Sequence, residues 1–182
     1  ANRSQLELLT RLSDDIAEYR RAKETAVFWM NLSNRDQADW VESLLERIQI
    51  VSNSPVSVCL LDTGVNHRHP LLMPLLTEND CHCVDPTWGT HDHDKHGTLM
   101  AGIAAYGNLM HTLMNNGSIE LRHCLESVKI LPLPPNQNAP ELWGHVTAQG
   151  ISRAEIEAPV RKRIICMAVT AADTRDRGRP SS

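Results

Sequence analysis

The stretch VSVCLLDTG, Val56 to Gly64, decides how the rest of the chain is read. Val56 to Leu61 is a short apolar run that follows the turn-like SNSP of Ser52 to Pro55 and ends at an acid and a glycine. A run of this length without sustained polar alternation is the pattern of a strand covered on both faces. Two further runs share that character, ESVKIL at Glu126 to Leu131 and RIICMAV at Arg163 to Val169. Between the first two lies HGTLMAGIAAYG, His96 to Gly107, in which Gly97, Ala101, Ala104 and Ala105 form a small-residue face. Between the second and third, ELWGHVTAQGISRAEIE has helical composition ahead of Pro159. Strands separated by helices need crossover connections, so an α/β domain with a parallel sheet and flanking helices is expected. Gly102 inside a helix costs about 1 kcal/mol relative to alanine, which leads one to expect that close packing compensates and that this helix is buried.

Working outward, residues 1–50 read as a polar helical segment. Leu9, Leu12, Ile16 and Tyr19 recur at helical spacing, as do Trp40, Val41, Leu44, Leu45 and Ile48. Ser33 followed by Asp36 marks the start of the second of these helices. The expected organisation is therefore a helical N-terminal segment, 1–50, and an α/β domain, 51–182. The tail DTRDRGRPSS is polar and turn-rich and reads as a loop.

Composition narrows the function. The formal charge is −4 over 182 residues, and the basic run Arg161 to Arg163 is short, so nucleic acid is not expected as a partner. No apolar run approaches the roughly 20 residues that cross a bilayer, and the first thirty residues are charged throughout rather than built like a secretion signal. A cytoplasmic protein without a membrane partner is the expectation. The five cysteines, Cys59, Cys81, Cys83, Cys124 and Cys166, are odd in number, and Cys59 and Cys166 fall in apolar runs, so core thiols are expected rather than a disulfide framework. CHC at Cys81 to Cys83 has no second cysteine pair at zinc-ribbon spacing.

Asp62 ends a buried strand, at the edge where open α/β sheets collect their functional groups. His96 opens a helix 34 residues later. A carboxylate that holds one imidazole nitrogen leaves the other free to take a proton from a nucleophile. Taken singly, Asp62 could equally be a strand-end aspartate bonding turn amides, and His96 an inert helix-start histidine.

Together with their flanks, VCLLDTGVNHRHPLL and HGTLMAG, the two resemble the aspartate and histidine motifs of the subtilisin-like serine proteases, in the family's order and spacing. The similarity runs over roughly residues 54–175. It implies a subtilisin-like parallel sheet with flanking helices and hydrolysis of peptide bonds in peptides or proteins, with Asp62 as orienting acid and His96 as general base. It also implies that backbone groups of Ala168, Val169 and Thr170 line the substrate cleft. No organic cofactor is implied; calcium is common in the family, but no calcium-site motif is matched here, so no metal is expected. The chain departs from the family pattern at Lys95, where glycine is usual, at Leu99, often histidine, and at Ala168, Val169 and Thr170, usually Ser-Leu-Gly. A side chain at Thr170 is expected to narrow the neighbouring specificity pocket.

The nucleophile motif, Gly-Thr-Ser followed by a small residue, and the oxyanion-hole asparagine are not in the sequence. The reading is therefore a truncated domain, its N-terminal half, inactive alone and presenting an open apolar sheet edge. The missing C-terminal half is the partner expected there, and by analogy with subtilases found beside ATPases a partner ATPase is a second. Two rival functions remain. HDHDKH places His91, His93 and His96 at the spacing of a zinc-dependent hydrolase, although the aspartate falls at Asp94 rather than 95. A non-catalytic relative that only holds peptide in the cleft is the other. For His91, Asp92, His93 and Asp94 themselves, a solvated charged loop is expected.

Overall fold

The computed structural model describes residues 3–12, 27–51 and 56–168. Ala1–Ser33 is one compact unit and Asn34–Ser182 another. Among its described residues the first holds α1 (Arg3–Leu12) and α2 (Val27–Met30). In α2 the Phe28 and Trp29 rings meet edge to face with centroids 5.1 Å apart. Ile16 and Tyr19 lie outside the described residues, as does the tail from 169 onward.

The second unit runs α3 (Asn34–Leu45), β1 (Ile48–Ile50), β2 (Val56–Asp62), β3 (Cys81–Cys83), α4 (His96–Tyr106), α5 (Leu109–Met114), β4 (Ile119–Leu121), β5 (Cys124–Lys129), α6 (Trp143–Glu157) and β6 (Lys162–Cys166). Its main sheet has the order β3-β5-β2-β6, parallel at every pairing. The fold is thus α/β with a parallel sheet and flanking helices. β2 lies in the middle of that sheet, so Cys59, Leu60 and Leu61 are covered from both faces and almost wholly buried. That central position is the physical reason its sequence is apolar without alternation.

Alternation along β2 sends Cys59 and Leu61 to one face and Leu60 and Asp62 to the other. On the first, Cys59 and Leu61 join Val128, Ile130 and Ala154 in a core cluster. α6 comes close there because position 150 is glycine. A Cβ on Gly150 would lie 2.8 Å from Ile130 Cγ2 and 3.3 Å from Leu61 Cδ2. α4 packs against β2 through Gly97, Ala101, Ala105 and Tyr106, all buried. The rest of α4 departs from expectation. A Cβ on Gly102 would meet nothing within 4 Å, and Leu99 and Ile103 are exposed, so no close packing offsets Gly102 and only one side of the helix is buried.

Ile48 also departs from expectation. α3 stops at Leu45, and Ile48 begins β1, which pairs in parallel with β4 from Ile48↔Ile119 to Ile50↔Leu121. Arg47 fastens this junction, donating to the carbonyls of Ser43, Asn115 and Gly117. Pairing with a distant strand overrides a helical periodicity that Ile48 merely continued. Among the described residues β6 is an edge strand, and it exposes Ile164 and Ile165.

Toward the strands' N-terminal ends, a buried ion network joins β2, β5 and β6. Glu126 accepts from Ser57 Oγ and Arg163 Nε on one oxygen, and from Arg161 and Arg163 on the other. Arg161 reaches Asp80 as well, and Arg163 also caps the end of α6 through the carbonyls of Ala154 and Ala158. The basic run of the sequence is thereby tied into internal pairing at Arg161 and Arg163.

Candidate active site

Asp62 is the last residue of β2 and His96 the first of α4, and the fold brings their side chains together. His96 Nδ1 lies 2.9 Å from Asp62 Oδ1 and 3.0 Å from Oδ2. A carboxylate only accepts, so Nδ1 carries the hydrogen and Nε2 is left as the proton acceptor. Nε2 makes no hydrogen bond among the described residues. The acid is buried, its side chain 3% exposed, whereas the imidazole is 41% exposed. The hydrogen bond to Asp62 raises the His96 pKa above its ordinary 6.5, outweighing partial burial, with further attraction from Asp62, Asp94 and Asp92.

This approach depends on two glycines. Gly64 has φ +99°, and a Cβ there would lie 2.5 Å from the Thr90 carbonyl oxygen and 2.6 Å from that of His91. A Cβ on Gly97 would overlap the Gly64 carbonyl oxygen and sit 3.3 Å from Asp62 Cβ. The segment after β2 and the start of α4 therefore touch backbone to backbone, which no side-chain-bearing residue at either position permits.

The loop between them is held from below by Lys129, the register partner of Asp62 on β5. Its ammonium is buried and donates to the carbonyls of Trp88, 3.3 Å, and His91, 3.0 Å. Burial pushes its pKa down, opposed by attraction to Asp92 and Cys83. In the sequence Lys129 is only one residue of the expected strand ESVKIL. Lys95, immediately before the histidine, has φ +68°, a left-handed conformation that costs a non-glycine residue about 1–2 kcal/mol. The lysine thus stands where glycine would be unstrained.

Asp92 does not behave as a solvated loop residue. It is half-buried, and its two oxygens accept five hydrogen bonds, from the Thr63 and Thr98 hydroxyls and the amides of Asp94, Lys95 and Thr98. Partial burial works to raise its pKa, yet the bonds from Thr98, Asp94 and Thr63 hold the carboxyl below its usual range. The one hint in the sequence is an aspartate two and three residues ahead of a chain reversal, the position from which it bonds turn amides.

The histidines at 91, 93 and 96 do not converge on a metal position. Among the described residues no three His, Cys, Asp or Glu side chains are gathered to hold an ion. The five cysteines are free thiols, and burial pushes Cys59 and Cys81 to about 12. Ala168 is half-buried and follows β6 at the sheet's C-terminal edge, two residues beyond the pair Leu60↔Cys166, as Asp62 is two residues beyond Leu60. Val169 and Thr170 lie outside the described residues.

A parallel α/β sheet thus carries, at one strand end, a buried acid paired to a histidine that opens a helix. The model of the subtilase family matches residues 53–182, well over half of the chain. The chain belongs to the subtilase family, a family of serine peptidases. No curated protein and no solved structure matches it. No helix among the described residues is long and apolar enough to cross a membrane.

Proposed function

We propose that this chain supplies the acid and the base of a serine endopeptidase. Asp62 holds the His96 tautomer and stabilises the imidazolium; His96 takes the proton from an attacking serine and returns it to the leaving amine. The serine comes from a segment outside these 182 residues. Ala168, with Val169 and Thr170, offers backbone groups to an extended peptide as an added strand. The observation that carries the reading is the hydrogen bond from His96 Nδ1 to a buried Asp62, with Nε2 left free on an exposed ring edge.

The test uses the full native coding sequence and a fluorophosphonate probe that marks activated serines. Labelling and peptide turnover are expected in the full protein and not in the 182-residue chain. His96→Ala should lower turnover on the order of a million-fold and Asp62→Ala at least ten-thousand-fold, the magnitudes a subtilisin triad shows. Undiminished turnover in His96→Ala would refute the assignment. A full protein that binds peptide but takes up no probe would favour a peptide-holding relative without catalysis.

A further inference from the structure

The two motif segments are cross-tied by their threonines. Thr63, next to Asp62, accepts the amide hydrogen of Gly97, next to His96, at 3.1 Å. Thr98, on the other side of Gly97, accepts the amide hydrogen of Asn66 at 3.0 Å. Each segment thus offers a hydroxyl oxygen to the backbone of the other. A hydroxyl has one hydrogen, and the direction in which it points decides which lone pairs remain for accepting. Both hydroxyl hydrogens reach the same group. Thr63 Oγ1 lies 2.8 Å from Asp92 Oδ1, against 3.2 Å from Asp62 Oδ1, and Thr98 Oγ1 lies 2.6 Å from Asp92 Oδ2.

The same carboxylate takes the amides of Asp94, Lys95 and Thr98, and so also holds the left-handed turn at Lys95 from which α4 starts. Asp92 does not touch the reacting groups. What it touches are three of the elements that set the His96 ring against Asp62: Thr63, the turn into α4, and the first turn of α4. Charge-assisted bonds of this kind are about twice as strong as neutral ones, and five on one carboxylate leave little freedom to the groups that donate them.

We infer that Asp92 is the positioning residue of the Asp62–His96 pair, orienting the two threonine hydroxyls so that the strand end and the helix start lock in the geometry proton transfer needs. This deepens the peptidase reading and rests on it. Asparagine at 92 is the discriminating substitution. Its amide can satisfy one oxygen's donors but then turns an N–H toward the others. Because each oxygen of Asp92 takes at least one backbone N–H, at least one bond that holds the turn into α4 or its first turn is lost, and the threonine hydroxyl on that side must give up its donation.

The experiment is nuclear magnetic resonance of the 182-residue chain labelled with 15N histidine, at a pH where His96 is neutral. In the unaltered chain the Nδ1–H proton should be slow to exchange and shifted downfield by the carboxylate, with Nε2 unprotonated, and Asp62→Ala should abolish the signal. Asp92→Asn is expected to lose or broaden that signal as both tautomers become populated, while far-ultraviolet circular dichroism stays that of the folded chain. A residue that only stabilised the fold would lower the unfolding temperature and leave the folded-state signal in place, so an unchanged Nδ1–H in folded Asp92→Asn overturns the inference alone. Absence of the signal from the unaltered chain instead removes the Asp62–His96 pair itself, and with it the peptidase reading. If Asp92→Asn does not fold, Thr98→Val decides: it deletes one hydroxyl at nearly constant volume, and a signal unmoved in that variant overturns the inference as well.

Discussion

Adding one methyl group to Gly97 should be destabilising, while the same addition five residues on in the same helix should be stabilising. At Gly97 the new Cβ would lie 3.3 Å from Asp62 Cβ and 3.1 Å from the Gly64 carbonyl carbon, and would overlap that carbonyl's oxygen. The obstacle is backbone, which cannot rotate aside as a flexible side chain can. Overpacking costs typically 1–3 kcal/mol, here about 2–3 because backbone must move, and the better helix propensity of alanine returns about 1 kcal/mol, leaving a net loss of roughly 1–2 kcal/mol. At Gly102 nothing lies within 4 Å of the new methyl, so only the propensity gain applies, about 0.5–1 kcal/mol. For a chain of this length that corresponds to a Tm lowered by about 2–8 °C in Gly97→Ala and raised by about 1–4 °C in Gly102→Ala. Thermal and urea unfolding followed by circular dichroism measure both. In Gly97→Ala the His96 Nδ1–H resonance should also weaken, because the helix start has to lift away from Asp62. If the two variants proved equally stable, close approach of the two glycines would not be what seats α4 against Asp62.

Two further outcomes follow from the electrostatics. Glu126→Ala should cost about 3–5 kcal/mol, since it strands the Arg163 guanidinium, whose side chain is 8% exposed, whereas a paired Glu126→Leu and Arg163→Met replacement should recover most of it; urea unfolding showing a loss below about 1 kcal/mol would contradict the network's role. Because the His96 pKa is raised on folding, the protonated ring favours the folded chain: the contribution is complete below about pH 6.5 and disappears as pH rises through the folded-state value. Screening of the exposed ring limits it to about 0.5–1 kcal/mol. The difference in stability between the unaltered chain and His96→Ala should therefore shrink with rising pH, and a difference that grew would reverse the assigned sign. His69 and His82, whose pKa values burial lowers, contribute in the opposite direction in both proteins and cancel from that comparison.

The fold was legible where one element's burial is complete. β2 is central and covered on both faces, so its apolar run could be read as a strand without knowing its neighbours, and the same holds for β5. It was illegible where an element exists only because a distant segment pairs with it. β1, β3 and β4 are three residues each, too short to carry a period, and Ile48 was drawn into a helix because its spacing matched one. Gly102 misleads for a related reason: a glycine inside a helix suggests close approach, but the buried small residues of α4 include Ala101 and Gly97, about 100° and about 140° around the helix from Gly102, and only Ala105 lies nearer its side.

The candidate site divides in the same way. Asp62 and His96 stand out only as a pair, because their flanks, VCLLDTGVNHRHPLL and HGTLMAG, resemble a family's two motifs in order and spacing, whereas either residue alone has an ordinary structural reading. Asp92 and Lys129 do not, since an aspartate among histidines and a lysine at a strand end are ordinary surface residues until folding buries them. What converts them is the crossing of the chain over its own strand end: Lys129 meets the carbonyls of Trp88 and His91 only because the loop passes above β5, and Asp92 meets Thr63 only because that loop then descends onto the end of β2. The adjacent threonines have the same standing. Their hydroxyls matter as acceptors for the opposite segment's backbone, a role that no reading of either segment alone contains. A pair of motifs in sequence is thus one physical object in the fold, and the residue that makes it one lies in neither motif.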